Sequence, residues 1–341
     1  MLTDRQRMIL NAIIDDYIRS AEPVGSRSIS KRGDVAFSPA TIRNEMADLE
    51  ELGFLEQPHT SAGRVPSTKG YRYYVDHLVK LNAIEEHDLQ SLRSFFTEQM
   101  TQMEQVVQHT AMIMSNLTNY TSIVLGPEMF NTSLKHFGLI PLDQTSAVAI
   151  IVTNTGHVEN KTITIPPDLD MGDLEKVVNI LNHKLTGVPL TRLKSRLYSE
   201  VGQELERYVD HCEELMKALD GVLQSGDEHR VFMSGATNML TQPEFKDVDK
   251  VKTILDLLEE TPTIMRMFSS LPSGIQVRIG TENDHEAISN CSLITATYES
   301  DGHPLGTIGI LGPTRMEYGK VISLLDALSK KMNVLLGKWY K

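Results

Sequence analysis

Cysteine and long apolar runs are scarce in this chain of 341 residues. The two cysteines, Cys212 and Cys291, stand far apart. Zinc sites and disulfide frameworks need closely spaced cysteines, so this spacing predicts two small, buried apolar side chains. No apolar run approaches the roughly 20 residues of a membrane-spanning helix, and the first residues, MLTDRQRMIL, lack the apolar core of a signal peptide. We therefore expect a cytoplasmic protein without a membrane partner.

Catalytic motifs are missing as well. The 11 histidines are scattered, without metal-binding spacings such as HExxH, and neither GxSxG nor a phosphate-binding P-loop occurs. The segment GTIGILG has spaced glycines, but it indicates a strand and a turn, because the helix that a nucleotide-binding loop needs does not follow. These absences predict no enzyme, no cofactor and no metal.

Positive charge is also in deficit, and the deficit is uneven. The net charge is −12, which argues against a protein that coats nucleic acid without selection. Residues 1–80 hold 11 Lys and Arg against 11 Asp and Glu, whereas the rest of the chain holds 22 against 34. A DNA-binding module could therefore lie in the neutral part, with the acidic body facing away from DNA.

The neutral part begins with three predicted helices. Thr3 and Gln6 form a capping box, and the apolar side chains after them share one helix face: Ile9, Leu10, Ile13, Ile14 and Tyr17. The EPVGS turn ends this helix, and a short second helix follows through Ser28 to Lys31. After the break GDVAFS, Ser38 is the predicted N-cap of a third helix, and Pro39 occupies its first position.

The third helix has the pattern of a DNA-reading helix. Its outward N-terminal half is small, polar and basic, and its core-facing side chains are Ile42, Met46 and Leu49. Arg43 and Asn44 are the candidate base-reading residues, because Arg can pair with guanine and Asn with adenine through two hydrogen bonds. Phosphate would repel Glu50 and Glu51, so only the first turns would enter a major groove. Taken alone, the same pattern also fits a solvated helix face.

The segment after this helix favours DNA binding. Gly53 ends the helix, the residues at 54–55 indicate a strand, and PHTSAGRVP forms a turn whose predicted tip carries Gly63 and Arg64. An arginine at such a tip can enter a minor groove or contact phosphate. The exit is basic and rich in hydroxyls, with Lys69, Arg72 and Lys80 opposed by Asp76 alone, and with Tyr71, Tyr73 and Tyr74 among them. Together these features predict a winged helix-turn-helix.

The body begins with a helix of coiled-coil-like spacing. Nine positions from Leu89 to Leu117 follow a heptad, and all except Gln99 and Thr110 are apolar. Such a helix either packs on its own domain or contacts a second subunit. The sequence leaves both readings open.

Seven short apolar or β-branched runs then predict the strands of an antiparallel sheet. They are HFGLIPL from 136, SAVAIIVT from 146, KTITIPP from 161, VFMSG from 231, IQVRIG from 275, SLITATY from 292 and LGTIGILG from 305. Helices are predicted over about 246–260 and from Glu317 onward, the latter with an apolar stripe that reaches Trp339. This mixture is typical of an α+β sensor-like domain.

A helical block at about 167–226 interrupts these strands. Within it, apolar residues follow alternating spacings of four and three: Val201, Leu205, Tyr208, Cys212, Leu215, Leu219 and Val222. A continuous heptad in an inserted block indicates pairing with a second subunit, and the alternative is packing within the chain.

With these motifs identified, the chain resembles the heat-inducible transcription repressor HrcA family. The resemblance covers nearly the whole length. It rests on EPVGSRSISK at 22–31, on SPATIRNEMADLEELGFLEQPHTSAGRVPSTKGYRYYVD at 38–76, and in the body on IGTEN at 279–283 and GPTRMEYGKVISLLD at 312–326.

The resemblance implies a multidomain α+β fold with three parts. These are a winged helix-turn-helix over 1–80, a GAF-like α+β domain with a long linking helix over 81–166 and 227–341, and an inserted, mainly helical dimerisation domain over 167–226. It also implies a homodimer that represses chaperone operons by binding an inverted-repeat operator in double-stranded DNA. In this family the chaperonin is thought to keep the repressor active, and heat stress releases it from the operator.

Carried onto this sequence, the resemblance and the spacing together give a DNA-binding set of Ser38, Thr41, Arg43, Asn44, Arg64, Lys69 and Arg72. Ser38 would position the helix, Arg64 would be the wing contact, and Lys69 with Arg72 would contact phosphate. The predicted dimerisation set is Val201, Leu205, Tyr208, Leu215, Leu219 and Val222. The alternative function is a small-molecule-sensing transcriptional regulator whose GAF-like domain binds an effector.

Overall fold

Two units separate along the chain in the computed structural model, which describes residues 2–59, 62–81, 84–97, 103–126, 133–154, 156, 158–166, 171–205, 212–223, 231–269, 272–300 and 303–336. Unit 1 comprises Met1–Gly126 and Val231–Lys341, and unit 2 comprises Pro127–Arg230. No helix among the described residues is long and apolar enough to cross a membrane.

The first segment of unit 1, here called the reader, has the expected winged-helix order. Its elements are α1 (Asp4–Ser20), α2 (Ser26–Ile29), α3 (Pro39–Glu51), β1 (Leu55–Glu56), β2 (Val65–Pro66) and α4 (Thr68–His77). The predicted capping box is confirmed, since the Gln6 amide donates to Thr3 Oγ1 at 3.2 Å and the Thr3 amide donates to Gln6 Oε1 at 3.0 Å. This reciprocal pair satisfies two backbone donors at the start of α1.

The predicted apolar faces form the core of the reader. Ile9, Ile13 and Ile14 of α1 are fully buried, as are Ile42 and Leu49 of α3. Burial of such side chains contributes roughly 1.5 to 3 kcal/mol each relative to exposure. The helices of the reader are therefore held by tertiary packing more than by their intrinsic propensities.

The heptad region after the reader contains α5 (Glu86–Thr97) and α6 (Met103–Thr118), and β3 (Thr121–Leu125) follows. Residues 98–102 lie outside the described residues, so the prediction of one continuous helix is not tested there. Leu92 and Val106 are buried in the core of unit 1, and Thr110 Oγ1 donates to the Val106 carbonyl at 2.6 Å. These seam positions pack on their own unit, which is the first of the two readings.

Unit 2 combines three strands with a helical layer. Its elements are β4 (Leu134–Pro141), β5 (Ser146–Thr153), β6 (Val158–Thr164), α7 (Met171–Leu185), α8 (Leu190–Arg196), a π-helical turn (Leu197–Val201), α9 (Gly202–Leu205) and α10 (Cys212–Leu223). The strands form an antiparallel sheet in the order β4-β5-β6. Ala147, Ala149 and Ile151 of β5 share one buried core with the helices.

The rest of unit 1 completes a second sheet. Its elements are β7 (Val231–Ser234), α11 (Val248–Glu259), α12 (Thr261–Ser269), β8 (Ile275–Ile279), β9 (Cys291–Ser300), β10 (His303–Pro313) and α13 (Tyr318–Leu336). The sheet is antiparallel throughout, in the order β7-β3-β10-β9-β8. Alternate β10 residues Ile308 and Ile310 pack toward α6 and α13, and Leu311 packs toward α11 and α12, so helices cover both faces.

The prediction that all seven strand runs belong to one sheet is wrong. The runs from 136, 146 and 161 form a sheet of their own, which shares its core with the helices of unit 2. This unit accordingly begins at 127, whereas the sequence placed the start of the insert at 167. The physical reason is that an amphipathic helical layer needs an apolar surface to cover, and β4–β6 supply it.

The heptad seam of unit 2 is part of the same core. Val201, Leu205, Leu215, Leu219 and Val222 are at most 1% exposed and pack within unit 2. Their side chains are therefore not available to a second subunit, and the predicted dimerisation set needs correction on this point. Tyr208, the sixth member, lies outside the described residues.

Candidate nucleic-acid interface

The start of α3 is fixed by its N-cap. Ser38 Oγ accepts a hydrogen bond from the Thr41 amide at 3.1 Å and lies 2.9 Å from Thr41 Oγ1, and Pro39 occupies the first turn. The cap satisfies a backbone donor that the helix cannot pair internally, and Pro loses nothing there. The predicted position of Ser38 is confirmed, and its own side chain is committed to the helix.

The N-terminal half of α3 presents its polar side to solvent. Arg43 and Asn44 are exposed and Thr41 is partly exposed, whereas Ile42 and Met46 on the opposite side are buried. Within the described part of the chain, the side chain of Arg43 makes no ion pair. A free guanidinium beside an exposed amide, on the first turns of a capped helix, is suited to hydrogen bonding with base edges.

Charged pairs attach α3 and the preceding turn to α1. Glu45 of α3 is buried and pairs with Arg5 of α1. Arg32 donates to the Ala12 carbonyl at 3.1 Å and to both Asp34 oxygens at 2.8 to 2.9 Å. The hydrogen bond with Asp34 raises the pKa of Arg32, and the same bond lowers the pKa of Asp34. These contacts fix the orientation of the exposed face, and they occupy two cations of the reader.

Arg64 does not lie at the tip of the wing. Its backbone pairs with Val24 through two hydrogen bonds of 2.9 Å, which adds a third, single-residue strand to the β1-β2 hairpin. A Cβ on Gly63 would stand 2.3 Å from the Val24 carbonyl oxygen, so only glycine permits this approach. The Arg64 guanidinium pairs with Glu50 at 2.7 Å. The predicted wing contact is therefore corrected: Arg64 joins the wing to α3.

Lys69 and Arg72 are also engaged inside unit 1. Lys69 Nζ donates to the Leu52 carbonyl at 2.8 Å, where it neutralises the C-terminal end of α3. Arg72 donates to Glu282 Oε1 at 2.9 Å, to the Val277 carbonyl at 2.6 Å and to Asp76 at 3.1 Å. The partners of Arg72 take up the donors that a phosphate contact would need. Lys69 is exposed and keeps two of its three donors, but the Leu52 carbonyl holds it at the end of α3 opposite to the first turns that carry Arg43.

Two cations that the sequence analysis did not select lie near α3. Arg27 of α2 and Lys31, just after α2, are exposed, and in the described part of the chain neither makes an ion pair. Helix α2 packs against α3. In helix-turn-helix proteins the helix before the recognition helix crosses the DNA backbone, so exposed cations there were an available signal for phosphate contacts.

Other chemistry is limited in the described residues. No group of three or more His, Cys, Asp and Glu side chains among them could hold a metal ion. Cys291 is free and fully buried, and burial raises the pKa of its thiol to about 12. A buried thiol of high pKa is a poor nucleophile and a poor metal ligand.

Comparison with protein families gives two matches along the chain. Residues 1–77 match the winged helix-turn-helix transcription repressor HrcA DNA-binding domain, and residues 104–322 match the HrcA protein C-terminal domain. Together these matches include the reader, unit 2 and all strands of the five-stranded sheet.

Curated relatives match the chain over nearly its whole length. The heat-inducible transcription repressor HrcA of Brevibacillus brevis is 56% identical over 98% of both chains. The repressors of the same name from Halalkalibacterium halodurans and Bacillus pumilus are 53% and 50% identical, over 100% of this chain and 99% of theirs. A crystal structure of a hypothetical protein, 22% identical, has the same fold with a TM-score of 0.71 over 99% of this chain and 100% of that one.

Proposed function

Because the chain belongs to the HrcA family, we propose that it is a dimeric, heat-inducible transcription repressor that binds operator DNA through the first turns of α3. The observation that carries the proposal is the exposed pair Arg43 and Asn44 on a helix whose start is fixed by Ser38. Repression needs only occupancy of the operator, and the protein is not an enzyme. Cytoplasmic localisation follows from the DNA partner.

Base reading and phosphate contact fall to different parts of the reader. Arg43 and Asn44, with Thr41, would read base edges in the major groove, where each base pair presents its own pattern of donors and acceptors. Arg27 and Lys31 would contact phosphate, which positions the helix without reading sequence. Arg72 is no longer part of the proposed phosphate contacts, because its donors are taken up inside unit 1, and Lys69 stays a predicted phosphate contact.

The proposed operator is an inverted repeat, bound by two readers related by a two-fold axis. A single reader presents few exposed cations near α3 that have no ion-pair partner among the described residues, among them Arg27, Lys31 and Arg43, and the whole chain has a net charge of −12. One reader alone would therefore bind DNA weakly, and linking two raises the affinity by effective concentration. A homodimer supplies that link.

The outer face of the unit 2 sheet is the proposed dimer surface. An antiparallel strand with one solvated face alternates apolar and polar residues, but β5 carries apolar residues on both faces of the sheet. Its buried residues pack under the helices, and Val148, Ile150 and Val152 point to the opposite face. Ile140 and Val158, directly across from Val148 and Val152, are 52% and 55% exposed. A second copy with the same patch would cover this apolar face by two-fold symmetry.

Sedimentation of two charged variants tests this surface. Ile150→Glu should give monomers, because it places a charge in the centre of the proposed contact. Asn179→Glu, at an exposed position on α7, is the matched control and should remain dimeric. If Ile150→Glu remains dimeric, the dimer interface does not lie on this sheet face. Leu219→Glu should unfold unit 2 rather than dissociate it, since this side chain is 1% exposed.

The temperature response is proposed from the relatives, which are named heat-inducible repressors. In this account the chaperonin supports the active repressor, and heat stress draws it away onto unfolded proteins, so that the operator is released. Direct thermal loss of DNA binding by the chain itself is the competing route. The two routes differ in whether added chaperonin restores binding.

Selection of bound DNA from a random pool, at two temperatures and with or without chaperonin, tests these elements together. The expected product at the lower temperature is an inverted repeat, retained at the higher temperature only when chaperonin is present. A selected sequence without symmetry would contradict the dimeric reader. Equal recovery with and without chaperonin would contradict its supporting role.

A cavity in unit 1 favours effector sensing as a second candidate function. It measures about 560 Å³, lies between α1, α4 and α13, and is lined by charged groups of both signs, among them Asp15, Arg19, Asp88 and Lys320. Burial raises the pKa of Asp15 despite a hydrogen bond from Tyr74. A small, polar molecule with both charges would fit such a lining. A thermal-shift screen of the full chain tests this, because a specific ligand raises the melting temperature by mass action.

A further inference from the structure

Two arginines hold the reader against the five-stranded sheet domain of unit 1. From the reader, Arg72 on α4 donates to Glu282 and to the Val277 carbonyl. From the sheet domain, Arg315 donates to the Ile18 carbonyl of α1 at 2.5 Å while it pairs with Glu244 at 2.6 Å. The first contact holds α4 and the second holds the C-terminal end of α1, and both are partly shielded from water.

The segment IGTEN at 279–283 contacts α4. Asn283 is buried, and its amide group donates to the Gly280 carbonyl at 2.8 Å and to the Cys291 carbonyl at 2.8 Å, which fixes the turn. Gly280 has a φ of +56°, and a Cβ there would lie 2.8 Å from Thr68 Oγ1. The turn therefore lies close against Thr68, the first residue of α4, and from this position Glu282 contacts Arg72.

The second body segment, GPTRMEYG at 312–319, meets the reader through Tyr318. This side chain is fully buried, and its hydroxyl lies 2.7 Å from both Ser292 Oγ and the Thr314 carbonyl. Its ring lies 5.9 Å from that of Tyr71 and 6.4 Å from that of Tyr74, both on α4. Aromatic pairs at this distance add stability beyond their buried area.

We propose that 279–283 and 312–319 form a docking cradle that sets the orientation of the reader, with Arg72 and Arg315 as positioning residues. The base-reading face stays exposed while the reader is docked, so the cradle does not block DNA. Its effect is preorganisation: a dimer with docked readers presents both α3 helices at a defined separation and loses less freedom on binding two half-sites. This inference rests on the proposed binding of an inverted repeat by a dimer.

A cycle of Arg72→Gln, Glu282→Gln and the double variant tests the cradle on two DNA substrates. Affinity for the full inverted repeat should fall at least about tenfold in each single variant, because the effective concentration of the second reader falls. Affinity for a single half-site should stay within about twofold of the wild type, since no base or phosphate contact is lost. The double variant should lose no more than Arg72→Gln alone, because that change already removes the ion pair with Glu282. Lys330→Gln, which breaks an exposed pair with Asp326 on α13, is the matched control.

Hydrogen exchange of the free protein provides a measurement that does not depend on the operator. The α4 amides should exchange faster in Glu282→Gln than in wild type or Lys330→Gln, with the unfolding midpoint little changed. Unchanged exchange, or unchanged affinity for the full site, would overturn the cradle. A half-site loss in Arg72→Gln with a salt slope lower by about one would make Arg72 a phosphate contact instead. Wild-type protein that fails to prefer the inverted repeat would refute the proposed dimeric function, while the exchange result would still decide the cradle.

Discussion

Replacing Arg43 with Ala isolates the role of base reading from folding. Arg43 is exposed on α3, and in the described residues its guanidinium has no ion-pair partner that the change would leave without one. The neighbouring Ile42 and Met46, which anchor the helix, are untouched. The free energy of unfolding should therefore change by no more than about 0.5 kcal/mol, as for other exposed sites.

The expected loss falls on the specific complex. A side chain that makes two hydrogen bonds to guanine contributes about 1 to 3 kcal/mol of discrimination, which corresponds to roughly a 5-fold to 150-fold change in Kd. Binding to unrelated DNA should change little, because that binding depends on phosphate contacts. The ratio of specific to non-specific affinity is thus the quantity that Arg43→Ala lowers.

Fluorescence anisotropy with the selected operator and with unrelated DNA of equal length measures that ratio. Lys31→Ala is the matched control: it removes one exposed cation, so it should weaken both complexes to a similar extent and reduce the salt slope by about one. An equal loss on both DNAs in Arg43→Ala would refute base reading by this residue and would make it a phosphate contact.

Three further predictions concern the reader, the core and the cradle. Gly63→Ala should cost about 2 kcal/mol or more in chemical denaturation, because its Cβ would meet the Val24 carbonyl, whereas Gly33→Ala, with nothing within 4 Å, should be tolerated. Cys291, whose pKa burial raises to about 12, should resist thiol reagents at pH 8 until the protein unfolds, as peptide mass spectrometry will show. Partial burial disfavours the charge of Glu282, but its hydrogen bonds outweigh this and lower its pKa below 4.5. Glu282 should therefore contribute fully to docking above pH 4.5, and this contribution should be lost as the pH falls through the lowered pKa. Hydrogen exchange of the α4 amides at acidic pH measures this loss, and Glu282→Gln should abolish the pH dependence.

Local patterns made the reader predictable. The caps at Thr3 and Ser38 and the buried faces of α1 and α3 depend on neighbours a few residues away, and the structure confirms them. The predicted DNA contacts of Arg64 and Arg72 needed correction because the ion-pair partner of each arginine is distant in sequence. Glu50 lies 14 residues from Arg64, and Glu282 lies 210 residues from Arg72. A cation in a basic segment has no local mark that distinguishes a phosphate contact from an internal ion pair.

The body shows the same limit for apolar residues. Spacings of four and three correctly placed Leu215 and Leu219 on one helix face, but the same spacing fits a subunit contact and a core. Whether this helix face forms a core or a subunit contact depends on β4–β6, which cover it as a separate sheet. Local sequence patterns do not show which strands pair with each other. Strand β3 was not predicted, since TSIVL lacks the alternation of a half-buried strand; it lies inside the sheet and is buried along its whole length. The GAF-like character of the sheet domain remains a prediction.

Methylation interference at guanine N7 of the selected operator tests base reading by α3, because N7 lies in the major groove, where the first turns of this helix should contact bases. We expect two symmetric sets of guanines, about 10 base pairs or a multiple of that apart, whose methylation prevents binding. In Arg43→Ala, interference should disappear at one guanine in each half-site. An asymmetric pattern would contradict binding by a two-fold dimer, and an identical pattern in wild type and Arg43→Ala would contradict base reading by Arg43.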